Sequence, residues 1–172
     1  MKKRYLIVMT LCSSLWLNAQ NFIHPGMLHT QADLDRTKAK VEAGEEPWAS
    51  AYRKLLTSPH VSLDWKAAPV EKIVRGGRTI WEPDPDNYQL AYRDAATASG
   101  DKAYADKSVQ ILNAWAKTCK KVSGDTNACL AYGLYGYQFA NAAELMRGYP
   151  GWDATDFGRF KEWMLKVWYH GV

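Results

Sequence analysis

The sequence predicts an all-α fold built of helical hairpins. Apolar residues recur at helical spacing from Gln31 onward, helix-capping residues stand at the ends of these apolar segments, and no segment alternates apolar and polar residues as a half-buried strand does. Hydrophobic residues make up 47% of the 172 residues, which is enough for the core of one domain. We therefore expect a single helical domain.

Capping residues place the first two helices. Thr30 and Asp33 form a capping-box pattern, and Gly44 stands where a C-terminal cap would end the first helix. The second helix is expected to start at Pro47, because proline is favoured in the first turn. One face of this helix is apolar and carries Trp48, Tyr52 and Leu55.

Four helices are predicted in the second half of the chain. The first extends over 88–100. The second follows Asp101 and bears the most regular apolar stripe, formed by Tyr104, Ser108, Ile111, Leu112, Trp115 and Cys119. The third extends over 127–147. The last begins near Asp156, with a buried face formed by Phe157, Phe160, Met164 and Val167.

The first nineteen residues differ in kind from the rest. A basic start is followed by an apolar run over 5–17 and by the small residue Ala19. This pattern predicts a secretory signal peptide over 1–19 and one exported domain over 20–172. The apolar run is shorter than the roughly 20 residues of a membrane span. We expect a periplasmic or secreted protein that has no membrane attachment after signal cleavage.

The charge of the predicted domain is nearly balanced. The chain has 22 Lys and Arg against 18 Asp and Glu, and three of the cations belong to the signal segment, which leaves a net charge of about +1. The remaining cations are interspersed with acids and form no basic stripe. A nucleic-acid partner is therefore not expected.

Two cysteines remain in the predicted domain. Cys119 and Cys129 are ten residues apart, with neither a CxxC pair nor a neighbouring histidine. This spacing does not indicate a metal site, and no other cofactor is indicated. An exported compartment permits a disulfide, so both the bridged and the free state stay open.

A long segment rich in proline and glycine separates the helices over 58–87. It carries Trp65, Arg75, Arg78 and Trp81. Guanidinium groups bind carboxylates and indole faces contact rings, so the segment is suited to clamp an anionic, ring-shaped ligand. The alternative is a surface loop whose tryptophans pack into the core.

The predicted helix over 127–147 is apolar over most of its circumference, which is typical of an inner helix. Two amides, Gln138 and Asn141, nevertheless fall on the side formed by Leu130, Leu134 and Leu145. An unpaired buried amide costs about 1–3 kcal/mol. These amides are expected either to pair across helices or to face a wet cleft.

Four segments occur in fixed order along the chain: 24–29 (HPGMLH), 100–107 (GDKAYADK), 111–115 (ILNAW) and 135–144 (YGYQFANAAE). Together they resemble the N-terminal part of the alginate lyase superfamily, in particular the relatives grouped as polysaccharide lyase family thirty-eight. The resemblance extends from Phe22 to about Tyr169. It implies an incomplete (α/α) toroid of helical hairpins and an anionic polysaccharide or oligouronide as the partner.

The resemblance also implies β-elimination on a polyuronate of alginate or glucuronan type. Carried over onto this sequence, Tyr137, Gln138 and Asn141 lie in the inner-helix motif as substrate-binding residues, and Arg75 lies in a lid over the cleft. The catalytic Asn-His and Tyr elements of the family are expected beyond residue 172. The chain is thus expected to be a C-terminally truncated toroid whose catalytic residues are unassigned.

Two other functions stay open. One is a non-catalytic remnant that binds oligouronides, and the other is a helical scaffold that docks a protein. A truncated toroid would leave apolar helix faces uncovered, so self-association is also expected.

Overall fold

The computed structural model describes residues 22–76 and 99–171, and these residues are mostly helical, as predicted. The helices are α1 (Gln31–Glu42), α2 (Trp48–Leu56), α3 (Lys102–Thr118), α4 (Ala128–Ala131), α5 (Tyr137–Met146) and α6 (Ala154–Trp163), and the strands are β1 (Lys72–Arg75) and β2 (Lys121–Gly124). Single turns of 3-10 helix occur at Pro59–Val61 and Tyr169–Gly171, and π-helical turns occur at Tyr132–Gly136 and Met164–Trp168. The toroid stays a prediction. The predicted signal peptide, residues 88–98 of the helix predicted over 88–100, Arg78 and Trp81 lie outside the described residues.

Local capping explains where α1 begins and ends. The Thr30 side chain accepts a hydrogen bond from the Asp33 backbone, and the Asp33 carboxylate accepts one from the Thr30 backbone, which is the predicted capping box. Gly44 has a φ of 67° directly after the C-cap, and its backbone N–H donates to the Val41 carbonyl. Pro47 immediately precedes α2.

Three of the four helices predicted in the second half are present, with small shifts of their boundaries. Asp101 caps α3, whose predicted apolar stripe is buried apart from the half-buried Tyr104. The helix predicted over 127–147 is present as α4, a π-helical turn and α5 in succession. Helix α6 begins at Ala154, slightly before the predicted start, because the Asp153 carboxylate caps its first turn.

An aromatic cluster forms the core between α3, α5 and α6. The Phe139 ring lies 5.6 Å from that of Trp115, 5.2 Å from that of Trp163 and 5.6 Å from that of Trp168, measured between centroids. The Trp163 indole N–H donates to the Cys119 carbonyl oxygen over 2.7 Å. These contacts fix α5 against its two neighbours and thereby set the position of the motif it carries.

The all-α prediction is confirmed in that the described residues are mostly helical, but two short strands that no sequence pattern indicated are also present. Strands β1 and β2 pair in parallel, with Ile73 opposite Val122 and Arg75 opposite Gly124. Ile73 and Val122 are both buried and join the core. Each strand has four residues, which is too short for an alternating pattern to stand out from the proline-rich and helical segments around it.

Gly124 allows the ends of the two strands to meet. Its φ is 146°, and a Cβ placed there would lie 1.7 Å from the Arg75 carbonyl oxygen. Only glycine tolerates both the backbone conformation and the close approach. The register of the strands therefore positions Arg75 at the edge of the core.

Both cysteines of the domain are free. Cys119 is buried and Cys129 is exposed, and strand β2 lies between them. Burial raises the pKa of the Cys119 thiol to about 11, which keeps it protonated and unreactive.

Candidate functional site

Arg75 and Tyr135 form a pair at the point where β1 ends against the π-helical turn before α5. A guanidinium Nη1–H of Arg75 donates to the phenolic oxygen of Tyr135, and the guanidinium carbon lies 5.4 Å from the Tyr135 ring centroid. Tyr135 is 3% exposed and Arg75 is half-buried. The phenol therefore fixes a cation at the boundary between core and solvent.

The guanidinium of the Arg75–Tyr135 pair is able to bind a carboxylate and to stabilise negative charge. A guanidinium has five N–H donors in a planar fork, and such a fork can bind a carboxylate through two hydrogen bonds. In a partly desolvated position a fixed cation stabilises negative charge more strongly than it does in water. The Arg75 side chain is thus suited to neutralise an acid group on a ligand.

The other three predicted site residues share one face of α5. Tyr137 and Asn141 are four residues apart and Gln138 and Asn141 are three apart, so they are neighbours on the helix surface. Tyr137 is 48% exposed, Gln138 is half-buried and Asn141 is 1% exposed. The structure brings these three together, whereas Arg75 contacts Tyr135 instead.

The two amides have different surroundings. Gln138 Nε2 donates to the Leu134 carbonyl oxygen over 3.1 Å. Asn141 Oδ1 is buried, and none of the described residues donates a hydrogen bond to it. A buried acceptor without a donor costs about 1–3 kcal/mol. Asn141 therefore has an unpaired acceptor, which a ligand could reach only if the side chains that cover it moved.

The leucine side of this helix is mostly exposed. Leu130 is 50% exposed and Leu134 is 47% exposed, whereas Leu145 packs partly against the core. The uncovered leucine face expected from the sequence is thus present at Leu130 and Leu134.

No group of three or more His, Cys, Asp or Glu residues that could hold a metal ion occurs within 22–76 and 99–171. In the same described part of the chain, no helix combines the length and the apolar character needed to cross a membrane.

A family model described as alginate lyase matches residues 86–171, which is half of the chain. The chain belongs to the alginate lyase family. The alginate lyase match includes α3 to α6, and with them Tyr135, Tyr137, Gln138 and Asn141, whereas Arg75 precedes it. Comparison with curated proteins gives no match, and neither does comparison with solved structures. The assignment to the thirty-eight group within the alginate lyases stays a prediction.

Sequence reasoning missed Glu144, which lies inside the alginate lyase match. Its side chain is 11% exposed. The Oε1 atom contacts His24 Nδ1 and accepts a hydrogen bond from the Gly26 backbone N–H over 3.0 Å. The Oε2 atom accepts a hydrogen bond from Arg147 Nε over 3.1 Å. Burial raises the pKa of Glu144, but these hydrogen bonds outweigh it and hold the pKa below its ordinary value. Glu144 therefore fastens the segment before α1 to α5.

Other polar residues of the four resemblance segments also link helices. Asn113 donates to the Asp156 carboxylate over 3.1 Å and accepts from the Trp152 indole over 2.9 Å. Asp106 accepts a hydrogen bond from the Tyr149 hydroxyl, and this bond raises the pKa of Tyr149 to about 12. These alginate lyase segments thus contain residues that hold the fold together. Membership in such a segment alone does not identify a ligand contact.

Proposed function

We propose that the chain is a polysaccharide lyase, or the N-terminal part of one, that acts on a polyuronate of alginate or glucuronan type by β-elimination. The observation that carries the proposal is the Arg75–Tyr135 pair, in which the Arg75 cation is held against Tyr135 in the turn before α5. Tyr135 lies within the region that matches the alginate lyase family. A uronate differs from a neutral sugar by its carboxylate, and Arg75 is the group suited to bind it.

The reaction explains why such a cation is needed. A base removes the proton at C5 of the uronate, the released electron pair forms the C4–C5 double bond, and the bond from C4 to the glycosidic oxygen breaks. The leaving oxygen takes a proton from an acid. The C5 proton becomes acidic only when the adjacent carboxylate is neutralised, because negative charge develops there in the transition state.

Each candidate residue has a role in this proposal. Arg75 binds the carboxylate of the uronate that loses its proton, and Tyr135 positions Arg75 through the hydrogen bond between them. Gln138 and Asn141 contact the hydroxyl or carboxylate groups of neighbouring sugars. Gln138 is half-buried and accessible to a sugar, whereas Asn141 is 1% exposed, so its unpaired Oδ1 accepts from a sugar hydroxyl only if the side chains around it move when substrate binds.

The test is the ultraviolet absorbance of the unsaturated uronate formed by the purified chain from alginate or from glucuronan. We expect Arg75→Ala to lower kcat/KM by about 10²-fold, as the loss of one charge-stabilising donor does in other enzymes, and Arg75→Lys to restore part of it. Arg53→Ala is the matched control, because Arg53 is an exposed arginine of α2 that already pairs with Glu46, just before that helix. It should leave kcat/KM unchanged.

Two results would contradict the proposal. One is the absence both of product from either polymer and of calorimetric binding of oligouronides, while circular dichroism shows a folded chain. The other is product formation that Arg75→Ala leaves intact. Calorimetric binding of oligouronides without product would instead support the non-catalytic binding function.

A further inference from the structure

The backbone that follows Arg75 lies against the loop that joins β2 to α4. Arg75 is opposite Gly124 in the strand pairing, and the next residues of the two segments, Gly76 and Asp125, are also in contact. A Cβ built on Gly76 would lie 1.9 Å from Asp125 Oδ1 and 2.6 Å from Oδ2, so the carboxylate fills the space that a side chain would need. The φ of Gly76 is 101°, which also favours glycine. Asp125 thus covers the residue directly after Arg75.

The Asp125 carboxylate is held in place, although the residue is exposed. Its Oδ1 accepts a hydrogen bond from the Asn127 backbone N–H over 2.8 Å and another from Asn127 Nδ2 over 2.9 Å. The Asp125 carbonyl oxygen accepts a hydrogen bond over 2.9 Å from the backbone N–H of Ala128, the first residue of α4. These bonds form the side-chain turn that aspartate favours before a helix. Asp125 is therefore fixed to the start of α4.

One continuous helical segment holds Arg75 at two points. The segment begins with α4, shortly after Asp125, and continues through the π-helical turn that contains Tyr135. Asp125 contacts the backbone after Arg75, and Tyr135 accepts a hydrogen bond from the Arg75 guanidinium. The direction of a side chain depends on the backbone that carries it. A shift of the backbone after Arg75 would therefore move the guanidinium relative to Tyr135.

We infer that Asp125 is a positioning residue, which holds the backbone after Arg75 so that the guanidinium stays in contact with Tyr135. The role depends on the shape of the carboxylate and on its turn at the start of α4, and not on its charge. Its consequence for catalysis rests on the proposed function, in which Arg75 neutralises the acid group of a uronate. Its effect on the Arg75–Tyr135 contact rests on the structure alone.

The first test measures the Arg75–Tyr135 contact without substrate. A cycle of Arg75→Met, Tyr135→Phe and their double variant in urea unfolding gives the coupling energy between the two side chains. We expect Asp125→Ala to lower this coupling energy to about half or less of its native value, because the backbone that carries Arg75 loses its support. Asp125→Asn should retain the coupling, since asparagine has the same shape and its Oδ1 can accept the same hydrogen bonds. Asp153→Ala is the matched control, because Asp153 forms the corresponding side-chain turn at the start of α6, and it should leave the coupling unchanged.

The second test measures kcat/KM for the formation of the unsaturated uronate. Asp125→Ala should lower kcat/KM about tenfold, with the larger part of the loss in kcat, because a displaced cation stabilises the transition state less well. Asp125→Asn and the control Asp153→Ala should both stay within about twofold of the native chain. In an Arg75→Ala background, Asp125→Ala should have no further effect, since the cation that it positions is already absent. A residue with a structural role alone would lower kcat/KM by the same factor in both backgrounds.

Asp125→Ser replaces Asp125→Ala if the alanine variant fails to fold. Serine keeps an acceptor for the Asn127 backbone N–H but has one oxygen fewer against Gly76. A smaller loss in the same direction is expected in both tests.

An unchanged Arg75–Tyr135 coupling in Asp125→Ala would overturn the inference. A loss in Asp125→Asn as large as that in Asp125→Ala would also overturn it, by showing that charge rather than position matters, and so would an equal loss of kcat/KM in the Arg75→Ala background. The two proposals fail separately. A native chain that forms no product removes the lyase but leaves the coupling test decisive, whereas Arg75-dependent cleavage with unchanged coupling in Asp125→Ala removes the positioning role alone.

Discussion

Arg75, the last residue of β1, donates a hydrogen bond to Tyr135, which lies sixty residues later in the turn that leads into α5. The contact joins a segment outside the alginate lyase match to a residue inside it. Because Tyr135 is buried, the bond fixes the guanidinium relative to the helix that bears the other candidate residues. The position of Arg75 thus depends on the fold as a whole.

The Arg75–Tyr135 contact is expected to stabilise the fold as well as to hold the cation. Comparing Arg75→Met, Tyr135→Phe and the double variant in urea unfolding should give a coupling energy of about 1–2 kcal/mol, as for hydrogen bonds to charged groups. The same cycle between Arg53 and Tyr135 should give none, because within the described structure Arg53 pairs with Glu46 and Tyr135 with Arg75. Additive effects of Arg75→Met and Tyr135→Phe would contradict the pairing.

Gly124→Ala is expected to separate the two strands and displace Arg75. A Cβ at this position would meet the Arg75 carbonyl oxygen at 1.7 Å, and the φ of 146° is unfavourable for alanine. The free energy of unfolding should fall by about 3 kcal/mol or more. Gly158→Ala in α6 is the control: a Cβ there meets nothing within 4 Å, so helix propensity should make it neutral or stabilising. Equal behaviour of the two variants in urea unfolding would argue against the strand register.

The helices could be predicted from the sequence because their determinants are local. The Thr30–Asp33 capping box, the turn at Gly44 and the stripe along α3 each depend on residues within a few turns of one another. Strands β1 and β2 depend instead on a pairing between segments about fifty residues apart, and each is only four residues long. No local pattern indicates such a pairing, so both strands were missed.

The sequence could predict which residue types belong to the candidate site but not which residues they contact. Arg75 stands out because a guanidinium in a glycine-rich segment suits an acidic ligand, and Gln138 and Asn141 stand out as amides on an apolar helix face. The partner of Arg75 was not predictable: Tyr135 belongs to the aromatic side of its helix, and only the strand register brings the two together. Glu144 and His24, which are in contact, are 120 residues apart in the sequence, so no local spacing pattern could have predicted their contact.

Glu144→Gln is expected to release the segment before α1 and to lower the free energy of unfolding by about 1–2 kcal/mol near neutral pH. The pKa of Glu144 in the folded chain lies below its ordinary value of 4.5. Its stabilising effect is therefore complete above the unfolded-state pKa and is lost as the pH falls through the folded-state pKa. The stability difference between the native chain and Glu144→Gln should accordingly shrink on acidification.

The control for this experiment is Glu42→Gln, because Glu42 is an exposed acid that pairs weakly with Lys38 at 3.8 Å. This variant should match the native chain at every pH. Hydrogen exchange should localise the Glu144→Gln effect to the backbone amides around Gly26. A stability difference that does not change with pH, or faster exchange spread over the whole chain, would show that Glu144 does not hold the segment before α1 against α5.

Asn141→Leu is expected to separate stability from function. The Asn141 side chain is 1% exposed and its Oδ1 receives no hydrogen bond from the described residues, so an apolar group of similar size should raise the free energy of unfolding by about 1 kcal/mol. If Asn141 contacts substrate, the same change should lower the rate of product formation. Gln138→Leu is the matched control, because its amide is half-buried and already donates to the Leu134 carbonyl oxygen, so it should bring no gain in stability. Destabilisation by Asn141→Leu would mean that this amide is satisfied in the folded chain and holds helices together rather than contacting a ligand.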